Sequence, residues 1–192
     1  MDASTPLFVD YRARLDACAD CKLRVPAPLT PYRSPLDGPG VPDVFVVVKT
    51  PRMTDDTLIR PALAEVGIAA ERVFVTPLIR CRAPQSPTEA ATAVVACRPH
   101  LLREFLSARP AVVIAVGSAV EAWFYPDDAV AEDEDEDEPH HSDPLPAART
   151  LDEWTHPDDP TLRIKVVLLP EPEFIRRSGP QSKAGRLFDD AV

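Results

Sequence analysis

The stretch RVFVTPLIRCRAPQSPTEAATAVVACRPHLLREFLSARPAVVIAV, residues 72–116, decides the fold of this chain. Its ends, RVFVTPLI and AVVIAV, are short apolar runs rich in Val and Ile, which is typical of buried strands. Between them a helical pattern opens with Ser86 as the N-cap, Pro87 in the first turn and Glu89 three residues after the cap. Strand, helix and strand in this order indicate a parallel sheet.

The same alternation continues on both sides of this stretch. DVFVVVK (43–49) and RIKVVLL (163–169) are interpreted as two more buried strands, and TDDTLIRPALAEVG (54–67) and GSAVEAWF (117–124) as helices. We therefore predict an α/β fold with helices on both faces of the sheet. Ligands of such sheets bind beyond the carboxyl ends of the strands. The functional residues are thus expected in the loops after Val48, Ile79, Val116 and Leu169.

Composition indicates one domain that carries a local acidic segment. The 192-residue chain has a formal net charge of −10, but residues 127–143 hold ten Asp and Glu and no Lys or Arg, so −10 minus −10 leaves the rest at zero. We expect a single domain over residues 1–192, with an acidic, Pro-rich and disordered insertion at 125–162. The run from Glu132 to Glu138 is interpreted as a solvated loop, as a mimic of a phosphate backbone or as a surface for a basic protein partner.

The sequence also bears on localisation. No stretch approaches the roughly 18 uninterrupted apolar residues of a membrane span. The start, MDASTPLFVDYRARL, does not have the basic and then apolar pattern of a signal peptide. We expect a cytoplasmic protein with no membrane contact, in which thiols stay reduced.

All four cysteines lie in two stretches, as Cys18-x-x-Cys21 and as Cys81 and Cys97 with fifteen residues between them. Three interpretations are open. Inert core cysteines are common, but Cys18 and Cys21 are flanked by charged residues. A structural zinc site usually takes two short Cys-x-x-Cys knuckles, and the second pair is not one. An iron–sulfur cluster takes four thiolates at scattered spacing and fits best.

The order of Cys-x-x-Cys, strand, helix, strand, Cys, helix, Cys and strand resembles the iron–sulfur uracil-DNA glycosylases of family 4. The resemblance covers about residues 8–124 and 163–190 and is close in LIRPALAEVGIAAERVFVTPLIRC and in ACRPHLL. It implies a three-layer α/β/α sandwich with a four-stranded parallel sheet. It also implies an enzyme that flips uracil out of DNA and hydrolyses its glycosidic bond. The implied ligands of a 4Fe–4S cluster are Cys18, Cys21, Cys81 and Cys97.

Four motifs that carry the chemistry of that family differ in this chain. Where the family has a GEAPG-like loop with the acid that positions water, this chain has VKTPR, with Lys49 at the acid. The glycine-rich stretch with the aromatic residue that stacks on uracil is missing after Arg52. Pro77 stands at the asparagine that reads the base, and Glu171 at the histidine that stabilises the departing uracil anion. These differences predict that glycosidase activity is lost.

A His-Pro dipeptide does occur in WTHPDDP, but before the last strand and not after it. His156 is interpreted as part of a solvated turn, or as a displaced catalytic residue. If the catalytic motifs have been rebuilt, Glu171 and His156 are the candidates for catalysis.

Basic residues occur where family members contact DNA. They follow the second strand, lie on the long helix and follow the last strand, and they are interpreted as a phosphate-contacting face or as ordinary surface charge. This candidate nucleic-acid set is Arg80, Arg82, Arg98, Arg103, Arg176, Arg177, Lys183 and Arg186.

Three functional hypotheses remain. The first is a catalytically degenerate glycosylase-like protein that binds single- or double-stranded DNA or belongs to an assembly. The second is an active DNA glycosylase with rebuilt motifs. The third is a structural or regulatory protein that acts through the acidic segment 127–143.

Overall fold

The structure is a computed structural model, and it describes residues 18–23, 41–50, 59–65, 67–126 and 149–170. The strands are β1 (Val44–Val48), β2 (Val73–Pro77), β3 (Val112–Val116), β4 (Arg149–His156) and β5 (Asp159–Leu169). The helices are α1 (Ile59–Glu65), α2 (Pro87–Ala108), α3 (Ser118–Phe124) and a short 3-10 helix at Ala70–Arg72. Within the described part of the chain, no helix combines the length and the apolar character needed to cross a bilayer.

The described strands form one sheet in the order β2-β1-β3-β5-β4. β1 pairs in parallel with β2 and with β3, and β3 pairs in parallel with β5. These are the four predicted strands, and their parallel arrangement is confirmed. β4 is an additional edge strand that runs antiparallel to β5, so the sheet is mixed and has one strand more than predicted.

β4 corrects the predicted insertion. Residues 149–162 were expected to be disordered, but β4 and the start of β5 form an antiparallel hairpin there. Acidic residues and prolines suggested a solvated segment, whereas Trp154 packs its ring against Phe105, Trp123 and Phe124, with ring centroids 5.4–5.8 Å apart. A partly buried aromatic side chain that packs in this way anchors the edge strand. Residues 127–148 lie outside the described residues.

The sheet is covered on both faces, as predicted. Side chains alternate along β1, so Phe45 and Val47 belong to the core beneath α2 and α3, which includes Leu101, Phe105 and Trp123. Val44, Val46 and Val48 belong to a second core on the other face, together with Leu63 of α1. The arrangement is a three-layer α/β/α sandwich.

Helix α2 begins as the sequence predicts. The Ser86 hydroxyl accepts a hydrogen bond from the Glu89 N–H at 3.2 Å, and the Glu89 carboxylate accepts one from the Gln85 N–H at 2.9 Å. The Gln85 N–H, and then the charge of Arg82, hold the pKa of Glu89 below its usual value. The buried residues of α2 recur every three or four positions and form one inward stripe: Ala93, Cys97, His100, Leu101, Glu104, Phe105 and Ala108.

Candidate metal centre

The N-terminal segment 18–23 lies against the loop after β2 and the inward stripe of α2. Leu23 is buried in the main core, and Cys21 and Cys81 pack against that core while partly exposed. Cys97 lies on α2 and is only 5% exposed. The segment 18–23, called the arm below, therefore brings its cysteines to the two that follow β2.

The four cysteine side chains are free thiols. Burial raises the pKa of Cys97, the N–H and the charge of Arg80 lower it, and the nearby thiols of Cys81 and Cys21 raise it again. Burial also raises the pKa of Cys18, to which Cys21 contributes. Cys97 thus interacts with Cys81 and Cys21, and Cys18 interacts with Cys21.

This donor set suits an iron–sulfur cluster. Such clusters are held by Cys thiolates, and a partly buried, apolar setting shields the thiolates from water. Leu23 and the core beside Cys21, Cys81 and Cys97 supply that setting. The residues present therefore fit the cofactor that the resemblance implies.

A second group of potential ligands overlaps with the cysteines. The ligand atoms of Cys18, Asp20 and His100 all lie within 4.8 Å of one another. Burial lowers the pKa of His100 to about 4, and the charge of Arg80 acts in the same direction, so the imidazole is neutral at pH 7. Sequence reasoning missed His100 and Asp20. The available signal was the spacing of His100 three residues after Cys97, which puts both on one face of a helix.

Arg80 forms a buried ion pair and does not lie on an exposed face. Its guanidinium donates to the two carboxylate oxygens of Glu104 at 2.7 and 2.8 Å, and the Thr76 hydroxyl donates to the same carboxylate at 2.8 Å. The side chains of Arg80 and Glu104 are 6% and 0% exposed. The interpretation of Arg80 as a phosphate contact was therefore wrong, since both terminal nitrogens of its guanidinium already donate to the Glu104 carboxylate.

The other basic candidates differ in availability. Arg82 is about one-third exposed and pairs with Glu89 at 3.5 Å. Arg98 is exposed on α2, with its guanidinium 4.8 Å from the centroid of the Trp123 ring. Arg103 is exposed on the same helix, five residues further along. The candidates that follow the last strand lie outside the described residues, namely Arg176, Arg177, Lys183 and Arg186.

The carboxyl edge of the parallel strands brings together the positions where the family's chemistry was expected. Val48 and Pro77 are paired in register, and the Ile79 N–H donates to the Lys49 carbonyl at 3.0 Å. Lys49 and Pro77 are thus neighbours at this edge. Glu171 lies just beyond the described part of β5 and outside the described residues.

His156 lies at the opposite edge. It precedes the first residue of β5, Asp159, and β5 runs parallel to β3, so the turn between β4 and β5 is at the amino edge of the sheet. His156 is 1% exposed, its Nε2 lies 3.0 Å from the Leu102 carbonyl, and its Nδ1 accepts from the Asp158 N–H at 3.1 Å. His156 is a core residue, and both earlier interpretations, a solvated turn and a displaced catalytic residue, were wrong.

Comparison with known proteins decides the family. A family model described as the uracil DNA glycosylase superfamily matches residues 50–191, which is 142 of the 192 residues. The chain belongs to the uracil DNA glycosylase superfamily. A Type-4 uracil-DNA glycosylase of Pyrobaculum aerophilum is 30% identical over 104 residues, covering 47% of this chain and 53% of the relative. One of Saccharolobus solfataricus is 36% identical over 52 residues, covering 27% of this chain and 24% of the relative. The chain thus spans about half or less of the length of these curated relatives.

Proposed function

We propose that this chain is an iron–sulfur member of the uracil DNA glycosylase superfamily that does not excise uracil and acts as a nucleic-acid-binding or assembly component in the cytoplasm. The observation that carries the proposal is the presence of Lys49 and Pro77 side by side at the carboxyl edge of the sheet, where Val48 pairs with Pro77 and the Lys49 carbonyl accepts from the Ile79 N–H. The scaffold is present, and the groups that would do the chemistry are replaced.

Each replacement removes a different contribution. A charged lysine cannot accept a proton from water, so Lys49 is unsuited to activate the nucleophile. Pro77 has no side-chain amide with which to recognise the edge of a base. Losing a single stabilising donor lowers kcat by about 10²–10³-fold. Removal of several such groups leaves little advantage over water, even though their effects do not simply add.

The cluster has a structural role in this proposal. Cys18, Cys21, Cys81 and Cys97 would hold it, and when bound it supplies four metal–thiolate bonds that tie the arm to α2 and to the loop after β2. That role is independent of glycosidase chemistry. A protein that has lost the catalytic groups would therefore still need the cluster to hold the arm.

Nucleic-acid contact would rest on two exposed arginines, Arg98 and Arg103, and on the partly exposed Arg82. Arg82 lies in the loop after β2, between Cys81 and α2, and Arg98 and Arg103 lie on α2, after Cys97. Their charge attracts a phosphate backbone without reading its sequence. The four basic residues between Arg176 and Arg186 would extend the surface, and the acidic segment 127–143 would serve a basic protein partner.

The test of lost activity is an excision assay on single- and double-stranded DNA that contains uracil, with hypoxanthine and xanthine as further bases. The Pyrobaculum aerophilum relative is the positive control. We expect no abasic sites above the level without protein. Excision that depends on protein concentration and is abolished by Glu171→Gln would overturn the proposal in favour of rebuilt chemistry.

The test of binding is fluorescence anisotropy with labelled DNA at increasing salt. Affinity should fall as salt rises, and Arg103→Ala should weaken binding and reduce the slope by about one phosphate contact. Arg163→Ala is the matched control, because Arg163 is an exposed arginine on β5 and its partner Glu153 is on β4. Equal effects of the two substitutions would contradict a DNA-binding surface that contains Arg103.

A further inference from the structure

We propose that Cys18, Asp20 and His100 form a mononuclear site for a divalent transition-metal ion such as Zn²⁺, and that this site shares Cys18 with the four-cysteine group. It would be a second use of the arm, distinct from the cluster. Either metal would fasten the arm to α2, but through different ligands.

The geometry is close to that of a zinc site. The three ligand atoms lie within 4.8 Å of one another. Zinc binds sulfur at about 2.3 Å and nitrogen or oxygen at about 2.0–2.2 Å, which separates tetrahedral ligand atoms by about 3.3–3.8 Å. Closing the group around an ion therefore takes movements of about 1 Å or less, within the reach of side-chain rotation on the arm.

The ligand types also favour such an ion. Thiolate, imidazole and carboxylate are the three side-chain ligands of zinc in proteins, and the combination is too poor in sulfur for an iron–sulfur cluster. A thiolate from Cys18 and a carboxylate from Asp20 carry two negative charges, which match the two positive charges of the ion. The Cys18 Sγ already lies 3.5 Å from an Asp20 oxygen, so both ligands of the arm face the same point.

Burial gives the site one rigid side and one open side. His100 is 6% exposed on the inward stripe of α2, which fixes the position of its ring. Cys18 is partly exposed and Asp20 is exposed, so the arm supplies the ligands that face solvent. Three protein ligands with the fourth position toward water is the arrangement of an open zinc site.

Because both sites need Cys18, one chain can hold either the cluster or the single divalent ion, but not both. A thiolate engaged by a cluster is not available to a separate ion, so the mononuclear site should fill only when the cluster is absent. The arm could then remain attached to α2 after cluster loss. Because Cys21, Cys81 and Cys97 do not belong to the site, their substitution should not abolish it.

The experiment uses the full chain, purified, stripped of metal by chelation under anaerobic conditions and titrated with Co²⁺. We expect one Co²⁺ per chain, the visible bands of a four-coordinate ion and a charge-transfer band with the intensity of one thiolate. Asp20→Asn and His100→Gln should each lower the affinity at least tenfold. Asn at position 20 is not expected to disturb folding, since Asp20 is exposed.

Two controls separate this site from a four-cysteine site. Cys97→Ser should bind Co²⁺ as the unsubstituted chain does, and Asp158→Asn, an exposed carboxylate in the β4–β5 turn, should have no effect. The proposal is overturned if Cys97→Ser abolishes binding while Asp20→Asn preserves it, or if the stripped chain binds no Co²⁺. It is also overturned if cluster-loaded protein takes up Co²⁺ through Asp20 and His100.

Discussion

Glu104 is the one buried carboxylate among the residues that the structure describes. Helix α2 carries it into the core, where it accepts hydrogen bonds from Arg80 and Thr76. Both carboxylate oxygens accept hydrogen bonds, and the Arg80 guanidinium balances the negative charge of the buried Glu104. A buried ion is tolerated only with such partners, and removing one partner is far more destabilising than never having had the pair. These three residues tie the end of β2 to α2 beside the cysteines.

Glu104→Gln is therefore expected to lower the free energy of unfolding by about 3–5 kcal/mol, because the Arg80 guanidinium loses its counter-charge while remaining buried. Urea denaturation followed by circular dichroism measures the change. Glu153→Gln is the control, since Glu153 pairs with Arg163 at 3.5 Å and both side chains are exposed. A loss below about 1 kcal/mol is expected there. Similar losses in the two variants would contradict a special role for the buried pair.

Single residues were predictable where their type restricts what they can do. The four cysteines were grouped from their spacing, and Cys81 and Cys21 both interact with Cys97 in the structure. Their joint role as cluster ligands stays a prediction. Arg80 was misassigned because the sequence around it does not indicate its ion-pair partner Glu104, which is 24 positions away. One signal was available: Glu104 lies seven residues after Cys97, on the same helical face, which makes it a candidate for a buried charge in need of a partner.

At the scale of elements, the end of α2 is joined to the β4–β5 turn by Asp159. Its carboxylate accepts hydrogen bonds from Thr161 at 2.6 Å and from Arg109 at 2.7 Å. Arg109 is the C-cap of α2, with a φ of 49°, in the left-handed region where residues other than glycine are strained. The ion pair and the hydrogen bond from the Arg109 N–H to the Phe105 carbonyl at 2.7 Å hold the residue in this conformation.

This contact predicts an acid-dependent loss of stability. The hydroxyl of Thr161 and then the guanidinium of Arg109 lower the pKa of Asp159 from 3.8 to about 2. A lowered carboxyl pKa contributes stability that is complete above pH 4 and is lost as the pH falls from about 4 through about 2. Asp159→Asn should therefore be less stable than the unsubstituted chain at pH 5, with the gap closing toward pH 2. Thermal unfolding across this range measures it, and a gap that is constant with pH would contradict the assignment.

Elements were predictable from the sequence to different degrees. The parallel strands are Val- and Ile-rich runs, buried on both faces in β1 and over most of β3. Helix α2 has a cap, a first-turn proline and an apolar stripe, so all of these elements were found. β4 was missed, since an edge strand half exposed to solvent has no apolar run. Pairing with β5 and the burial of Trp154 among the rings of α2 and α3 decide its structure, and these are tertiary effects.

At the scale of the whole molecule, the predicted cofactor is a 4Fe–4S cluster. Protein purified anaerobically is expected to be brown, with about four irons per chain. Cys97→Ser should lose the colour and, with no divalent ion added, also loosen the arm, because a cluster bound through Cys97 would link the arm to α2. Iron analysis and limited proteolysis at the arm measure the two effects. Colourless protein with one zinc on all four cysteines would contradict the cluster.

The fold is expected to tolerate the loss of the acidic segment but not the loss of β4. The acidic composition of residues 127–148 leaves little apolar surface to bury, so replacing them with a flexible Gly/Ser linker should preserve the cluster and most of the thermal stability. Extending the same replacement to residue 160 removes β4, and with it Trp154 from the aromatic core and His156 from its contact with Leu102.

The longer replacement should therefore yield unstable or insoluble protein. The two replacements differ only by residues 149–160, so the comparison isolates the hairpin from the acidic segment. Equal stability of both would show that β4 is dispensable. Loss of stability in the shorter replacement would show that the acidic segment itself packs onto the domain.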